Sequence, residues 1–233
     1  MFFPKKKRCE WKYWITPRDY MILKQRLIST LPHDKNANND GNYRVRSLYF
    51  DTTNKDCLSE KLGGYSHRRK YRLRSYGIEE EFFKMEIKYR LNYRISKRNV
   101  ICNKTTAMAI AKGNLTLMDN TDVSREIQIA FHKKCLSPAV VTDYKREAFV
   151  YSPSNVRITF DKFLSAGVPN SFWDFSSNLN EVFPRTEIIL EVKYDNYLPR
   201  KIQNLLEGIP YLRSSISKYV LCQKRLAKYK LYS

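Results

Sequence analysis

The sequence predicts an α+β fold in which about eight antiparallel strands form a sheet covered by four or five helices. Three observations carry that reading. Polar and apolar residues alternate with period two along about six segments, which gives each strand one polar and one apolar face. The connections between successive segments are short, so sequence neighbours pair antiparallel. A few longer segments carry apolar residues at helical spacing instead.

Taken in order, residues 8–15 form the first strand. A helix over 17–31 follows, opened by Thr16-Pro17 and Asp19, an arrangement that caps a helix start. The loop Pro32 to Asn42 returns the chain to a strand over 43–51. Strands over 66–76, 82–90 and 94–101 are separated by turns at Gly63-Gly64 and around Gly77. Helices are expected over 103–112 and 121–136, the second burying Val123, Ile127, Ala130 and Phe131 and stopped by Pro138. Strands over 139–150 and 154–162 make a hairpin, a further strand spans 185–194, and a helix over 215–229 turns Ile216, Val220, Leu221 and Leu226 inward. The irregular stretch Phe163 to Pro184 is aromatic enough to pack on the body rather than act as a linker. No break in composition divides the chain, so residues 1–233 are expected to make a single domain. The echo of Tyr43-Arg44-Val45-Arg46-Ser47 in Tyr71-Arg72-Leu73-Arg74-Ser75 reflects strand patterning, not duplication.

With 233 residues and 42% hydrophobic content, the chain can bury a core, which excludes a disordered polyelectrolyte. Against 23 acidic residues stand 43 basic ones, a net charge of +20 that calls for a polyanionic partner. Only seven glycines occur, and no G-x-x-x-x-G-K or G-x-G-x-x-G string is present, so P-loop and Rossmann chemistry are set aside. The five cysteines, Cys9, Cys57, Cys102, Cys135 and Cys222, lie far apart and odd in number, which argues against a zinc knuckle or disulfide framework and fits a reducing cytoplasm. Lys5 to Arg8 reads as a solvated leader, and the start lacks a signal peptide's apolar stretch.

Function is legible in strand parity. Lys70, Arg72 and Arg74 share one face against Tyr71 and Leu73, and Lys84, Glu86 and Lys88 share one against Phe83, Met85 and Ile87. Arg157, Thr159 and Asp161 oppose Val156, Ile158 and Phe160, while Glu191 and Lys193 oppose Ile188, Leu190 and Val192. Glu10 and Lys12 repeat the same E-x-K pairing. Any one such face could be the wet side of an ordinary sheet. Together, with Lys97 and Arg146 added, they concentrate like charge that an anionic ligand would relieve. If the sheet curls closed, the charges point inward around a hydrated, highly charged guest and the apolar faces lie outside under the helices. Glu86 and Glu191, with Glu10 or Asp161, are then the natural ligands for Mg²⁺ or Mn²⁺.

From Lys12 to Lys218 the strings resemble the VTC-type polyphosphate polymerases of the triphosphate tunnel metalloenzyme superfamily, related to CYTH domains. The residues that carry the likeness are Lys12 in K-Y-W-I, S-L-Y-F-D-T at 47–52, Arg72 and Arg74 in Y-R-L-R-S-Y-G, and Glu86 and Lys88 in M-E-I-K. They continue with Lys97 in S-K-R, Arg146 in Y-K-R-E-A-F, Arg157 in V-R-I-T-F-D, Glu191 in L-E-V-K, and Ser217 with Lys218 in I-S-K-Y. The resemblance implies an eight-stranded antiparallel barrel with a cationic lumen and helices packed outside. It also implies transfer of the γ-phosphoryl of ATP to a growing inorganic polyphosphate chain, with Mn²⁺ or Mg²⁺ held by Glu191 and, less centrally, Glu86 and Glu10. Catalytic positions would be Lys12, Arg72, Arg74, Lys88, Lys97, Arg146, Arg157, Lys193, Ser217 and Lys218, of which Lys12, Arg72, Arg74, Lys88 and Lys218 would hold the nucleotide's phosphates.

Such a transfer needs positioning and charge neutralisation more than covalent chemistry, and guanidinium forks and lysine ammonium groups supply both. One departure bears on reaction type. The family's tunnel hydrolases carry E-x-E-x-K on the first strand, whereas this chain reads Arg8-Cys9-Glu10-Trp11-Lys12. Polymer synthesis is therefore favoured over a tunnel triphosphatase. The carboxylates among the cations disfavour a nucleic-acid or polyphosphate binding module without activity. No nucleic-acid partner is expected, and a membrane partner receiving the polymer would be a separate chain. His33, His67, His132 and the three tryptophans, Trp11, Trp14 and Trp173, are read as packing or surface residues, a tunnel mouth being the one place where an aromatic could hold adenine.

Overall fold

The computed structural model describes residues 8–77, 82–208 and 212–229. Lys5 to Lys7 of the basic leader and the residues following the Gly77 turn lie outside them. The chain runs β1 (Cys9–Ile15), α1 (Pro17–Ile28), β2 (Asn42–Asp51), α2 (Asp56–Leu62), β3 (His67–Tyr76), β4 (Phe82–Leu91) and β5 (Arg94–Asn103). It continues through α3 (Lys104–Ala111), α4 (Asp122–Lys134), β6 (Ser137–Tyr151), β7 (Val156–Gly167), β8 (Asn180–Glu181), β9 (Ile188–Tyr194), α5 (Arg200–Leu206) and α6 (Lys218–Tyr229). Every strand pairing is antiparallel, in the order β1-β9-β7-β6-β2-β3-β4-β5, with the two-residue β8 added beside β7.

The eight long strands match the expected number, but the sheet does not close into the expected barrel. Among the described residues its two edges meet at one bridge only, between Arg8, just before β1, and Ile95 of β5. Farther along, the free edge of β1 takes a different partner: Tyr13 bridges Arg213, and the Ser214 amide donates to the Lys12 carbonyl at 2.9 Å. The segment before α6 thus occupies the edge that β5 would need, and the seam splays.

Two apolar clusters lie on the outside of the curved sheet. Tyr71, Leu73, Met85 and Ile87 from β3 and β4 pack with Ala107, Ile110, Ile127 and Phe131 from α3 and α4. Ile158, Phe160, Leu190 and Val192 from β7 and β9 pack with Leu23 and Leu27 of α1 and Ile202 of α5. Fully burying each such aliphatic side chain contributes about 1.5–3 kcal/mol, which fixes the apolar parity outward and leaves the polar parity inside. The echo between β2 and β3 is settled by this geometry. Arg72 and Arg74 point inward, whereas Arg44 and Arg46 reach Asp143 on the outer side and Arg46 also donates to the carbonyls of Ser171 and Asp174.

Several boundaries differ from the sequence reading for local reasons. Thr16 and Asp19 make the reciprocal capping box, but α1 stops at Ile28, where Ser29 and Thr30 hydroxyls donate back to the Arg26 carbonyl. Helix α4 ends at Lys134 because Cys135 takes the left-handed conformation (φ 48°), and Pro138 lies inside β6 instead of ending the helix. Strand β7 runs on to Gly167, so the stretch thought irregular from Phe163 begins as strand. It does pack on the body: Phe172 is buried, and the Trp173 ring lies 5.3 Å from that of Phe83 and 4.8 Å from that of Phe172, centroid to centroid. No helix among the described residues is long and apolar enough to cross a membrane.

Candidate functional site

Register converts strand parity into pairs. Across β1 and β9, Glu10 faces Lys193 and Lys12 faces Glu191. Across β3 and β4, Arg72 faces Glu86, and across β6 and β7, Arg146 faces Asp161. Two successive positions break this pattern: Arg68 faces Arg90, and Lys70 faces Lys88. Like charges directly opposite on one face repel, so an anion between them would be stabilising. All four border one cavity of about 650 Å³ that opens along the splayed seam. Its walls carry twelve lysines and arginines against two glutamates, Glu10 and Glu191.

The carboxylates organise one side of the cavity. Glu191 accepts from Lys12 at 3.0 Å, Lys193 at 2.8 Å and Lys218 at 2.8 Å, with Arg146 at 3.8 Å. Burial alone would raise its pKa, but Lys12, Lys193, Lys218 and Arg146 outweigh it and hold the carboxyl well below the usual range. Glu10 binds Lys88 at 3.1 Å and Lys193 at 3.5 Å and lies 3.9 Å from Lys12; burial is again overcome and its pKa lies low. Glu10 and Glu191 therefore share two lysines. Arg146 makes a bidentate pair with Asp161 at 2.6 and 2.7 Å, and Lys218 bonds Asp161 as well as Glu191.

The opposite side is short of counter-charge. Lys70 donates to the Ser217 hydroxyl at 2.7 Å, and burial followed by repulsion from Lys88 and Lys12 pushes its pKa well below the lysine value. Burial also pulls Lys88 down to about 7, with Lys12 and Lys193 adding to the fall and Glu10 opposing it. An anion placed here would favour the charged form of both lysines and relieve the repulsion. Helix α6 adds its own start: Ser217 accepts from the Val220 amide at 3.4 Å and its carbonyl takes the Leu221 amide, so the helix N-terminus faces the cavity with Lys218 in its first turn.

The structure brings Lys12, Arg72, Arg74, Lys88, Arg146, Lys193, Ser217, Lys218, Glu10 and Glu191 around this cavity. Three predicted residues stand elsewhere. Glu86, fully buried, accepts from Arg72 at 2.6 Å and Lys97 at 2.9 Å and lies 4.0 Å from Arg74, so it braces two cavity arginines without bordering the cavity. Lys97 is bound up in that pair. Arg157 is held by Asp34 at 2.8 Å and the Tyr43 hydroxyl at 2.6 Å, away from the cavity wall. Sequence reasoning missed Arg68 and Arg90, although both continue the parity of residues already noted. It also missed Lys61 on α2 and Arg213, which lie where no periodicity runs, and the hydroxyls of Tyr49 and Tyr144, on which Arg72 and Arg74 rest at 2.9 and 3.4 Å.

Among the described residues no three histidine, cysteine or acidic side chains gather to hold a metal ion. The donors that border the cavity are the two ionised carboxylates Glu10 and Glu191, hard oxygen ligands of the kind Mg²⁺ and Mn²⁺ take in ones and twos alongside substrate phosphates. They fit such an ion, whereas Glu86 and Asp161 are committed to arginine.

The sequence matches no curated protein. Among solved structures it is similar to a putative adenylyl cyclase from Hippeastrum with a dominant triphosphatase activity, at 14% identity and a TM-score of 0.58 over 94% of this chain and 95% of that one. A putative adenylate cyclase from Bacillus halodurans aligns at 12% identity over 98% and 92% of the two chains, with a TM-score of 0.46. A mimivirus capping-enzyme triphosphatase aligns at 8% identity over 85% and 88%, with a TM-score of 0.42. At these identities the first likeness speaks for the fold alone. The sequence itself is decisive, because the VTC domain model matches residues 7–227, nearly the whole chain, and the chain belongs to the VTC domain family.

Proposed function

We propose that this chain is a metal-dependent phosphotransferase that moves the γ-phosphoryl of ATP onto a growing inorganic polyphosphate. The observation that carries the reading is the pair of like-charge cross-strand positions, Arg68 with Arg90 and Lys70 with Lys88, bordering a cavity whose twelve cations outnumber its two carboxylates. Arg72, Arg74 and Arg146 would grip phosphate oxygens by their forks, while Lys12, Lys70, Lys88, Lys193 and Lys218 neutralise charge and keep donor and acceptor in line. No side chain needs to act as a nucleophile. Glu191 and Glu10 would hold Mn²⁺ or Mg²⁺, which when bound would offset the charge of the phosphates.

The first strand supports transfer over hydrolysis. Arg8 stands where the hydrolases resembled here carry glutamate, and it is tied to Asp195 at 3.1 Å, so it adds no ligand for a second ion. One observation favours the second reading, hydrolysis of a triphosphate. The inner positions beyond Arg146, among them Tyr43, Thr159 and Asp161, are buried, which leaves less free length than a long chain would use. Incubating the purified protein with ATP and Mn²⁺ separates the two. Polymer on a gel with ADP and little free phosphate is expected, whereas phosphate stoichiometric with ADP and no polymer establishes the triphosphatase.

A further inference from the structure

A second, smaller chamber of about 300 Å³ adjoins the cationic cavity, and the function proposed above assigns it nothing. Lys61 and the segment 214–217 line both, so the two chambers meet there. Where the large cavity is lined mostly by polar and charged groups, half of the small one's lining is apolar: Trp14, Leu62, Ile216, Val220 and Leu221. Trp14 has the same strand parity as Glu10 and Lys12, so the inward row of β1 passes from carboxylate to ammonium to indole. A ligand that fills both chambers needs a polyanionic part joined to a flat, largely apolar part.

We infer that the smaller chamber receives the base of a nucleoside triphosphate whose phosphates lie in the cationic cavity, and that it accepts purine bases without choosing between them. This rests on the reading of the large cavity as a phosphate site. An indole and aliphatic walls suit the faces of a heterocycle, and base-on-aromatic contacts tolerate every base because each has a π-face. Discrimination would require side chains matched to the donors and acceptors on the base edge. Among the described residues the lining holds no asparagine, glutamine, aspartate or glutamate; its polar groups are serines and the lysines Lys61 and Lys224. The chamber therefore grips a base by contact area, and the triphosphate supplies most of the affinity.

Titration calorimetry with ATP, GTP and tripolyphosphate tests this on the full chain and two variants. Trp14→Ala removes the indole; because Trp14 also packs edge-on against Phe183, Leu62→Ala serves as the second variant, at a position 57% exposed. ATP and GTP should bind the unaltered protein within about threefold of each other, since no edge contact separates them. Trp14→Ala should weaken both nucleotides by about tenfold, the scale of one lost stacking partner, and leave tripolyphosphate within about twofold. Leu62→Ala should move the same way by less. Equal losses for nucleotide and tripolyphosphate in Leu62→Ala, or unchanged nucleotide binding in both variants, overturn the base chamber and leave the phosphate site standing. A strong preference for one purine overturns the lack of choice. If the unaltered protein binds none of the three ligands, the phosphate reading falls and this inference with it.

Discussion

Lys70 sits inside the fold with its ammonium aimed at Ser217 and facing other cations, so at neutral pH the folded protein resists its charge. Its folded pKa lies below the unfolded one, so the unfolded chain binds more protons and stability rises with pH until the unfolded lysine also loses its proton. Binding of an anion reverses the preference and draws a proton in. Tripolyphosphate binding should therefore be accompanied by proton uptake, measurable by calorimetry in buffers of different ionisation enthalpy, and affinity should fall as pH rises. Lys70→Met should raise Tm of the ligand-free protein and weaken tripolyphosphate binding about tenfold or more, since a hydrogen bond to a charged group contributes about 1.5–3 kcal/mol. A variant with lower Tm and the same proton uptake refutes this. Two of the three E-x-K glutamates, Glu86 and Glu191, should separate in their effects. Glu86→Gln leaves Arg72, Arg74 and Lys97 without their counter-charge and should cost about 3–5 kcal/mol, read as a fall in denaturation midpoint. Glu191→Gln should abolish Mn²⁺-dependent turnover while tripolyphosphate binding persists, because phosphate itself can neutralise Lys12, Lys193 and Lys218; undiminished turnover would remove Glu191 from the metal site.

At the scale of elements, the S-L-Y-F-D-T string is explained by Asp51. Helix α2 begins at a left-handed Lys55 that offers no side-chain cap. Asp51, at the end of β2, supplies one instead: its carboxylate accepts from the amides of Cys57 at 2.8 Å and Leu58 at 3.1 Å, and from the Tyr219 hydroxyl on α6. One buried carboxylate thus fixes the strand end, the helix that carries Lys61 and the helix that begins with Lys218. Asp51→Ala should cost about 2–4 kcal/mol by leaving buried donors unpartnered, and chemical denaturation would measure it. Strands, parity and the longer helices were readable because packing obeys periods of two and 3.6. Helices α2 and α5 were not, since each has seven residues and is held by tertiary contacts in place of its own pattern. For the same reason Lys61 and Arg213 escaped notice, while Arg68 and Arg90 could have been found by extending the alternation one step. What parity could not separate is which inward residues face open space: Glu86 and Lys88 lie two apart on β4, yet one braces arginines and the other borders the cavity.

For the whole molecule, the surplus of cations around one cavity sets how binding responds to salt. If a linear polyanion occupies it, log K should fall linearly with log salt concentration as condensed counterions are released, more steeply for long chains than for tripolyphosphate. Equal slopes for both would confine the contact to a triphosphate's length. The seam adds a prediction about stability across the structure. Among the described residues the outer edge of β5 has no neighbouring strand beyond the Arg8–Ile95 bridge and that of β1 has only the short contact with Arg213 and Ser214, so their amides should exchange hydrogen earlier than those of β6 and β7, which are paired on both sides. Bound tripolyphosphate should slow exchange in β1, whose Lys12 borders the cavity. Uniform exchange around the sheet would mean the seam is closed in solution.

The pairing of β1 with β9 also governs when the molecule can assemble. Cys9 lies opposite Tyr194 and Lys12 opposite Glu191, so the first strand made waits for nearly the last before it has a partner. Contacts of such sequence separation form late and slow the search for the native state. As the chain leaves the ribosome, Lys12, Lys70, Arg72 and Lys88 are therefore present before Glu191 exists to balance them. A polyanion that fits the cavity could then act before catalysis begins, as a template that draws β1 onto β9. Refolding from denaturant should accelerate when tripolyphosphate is added and should lose that acceleration in Lys12→Gln.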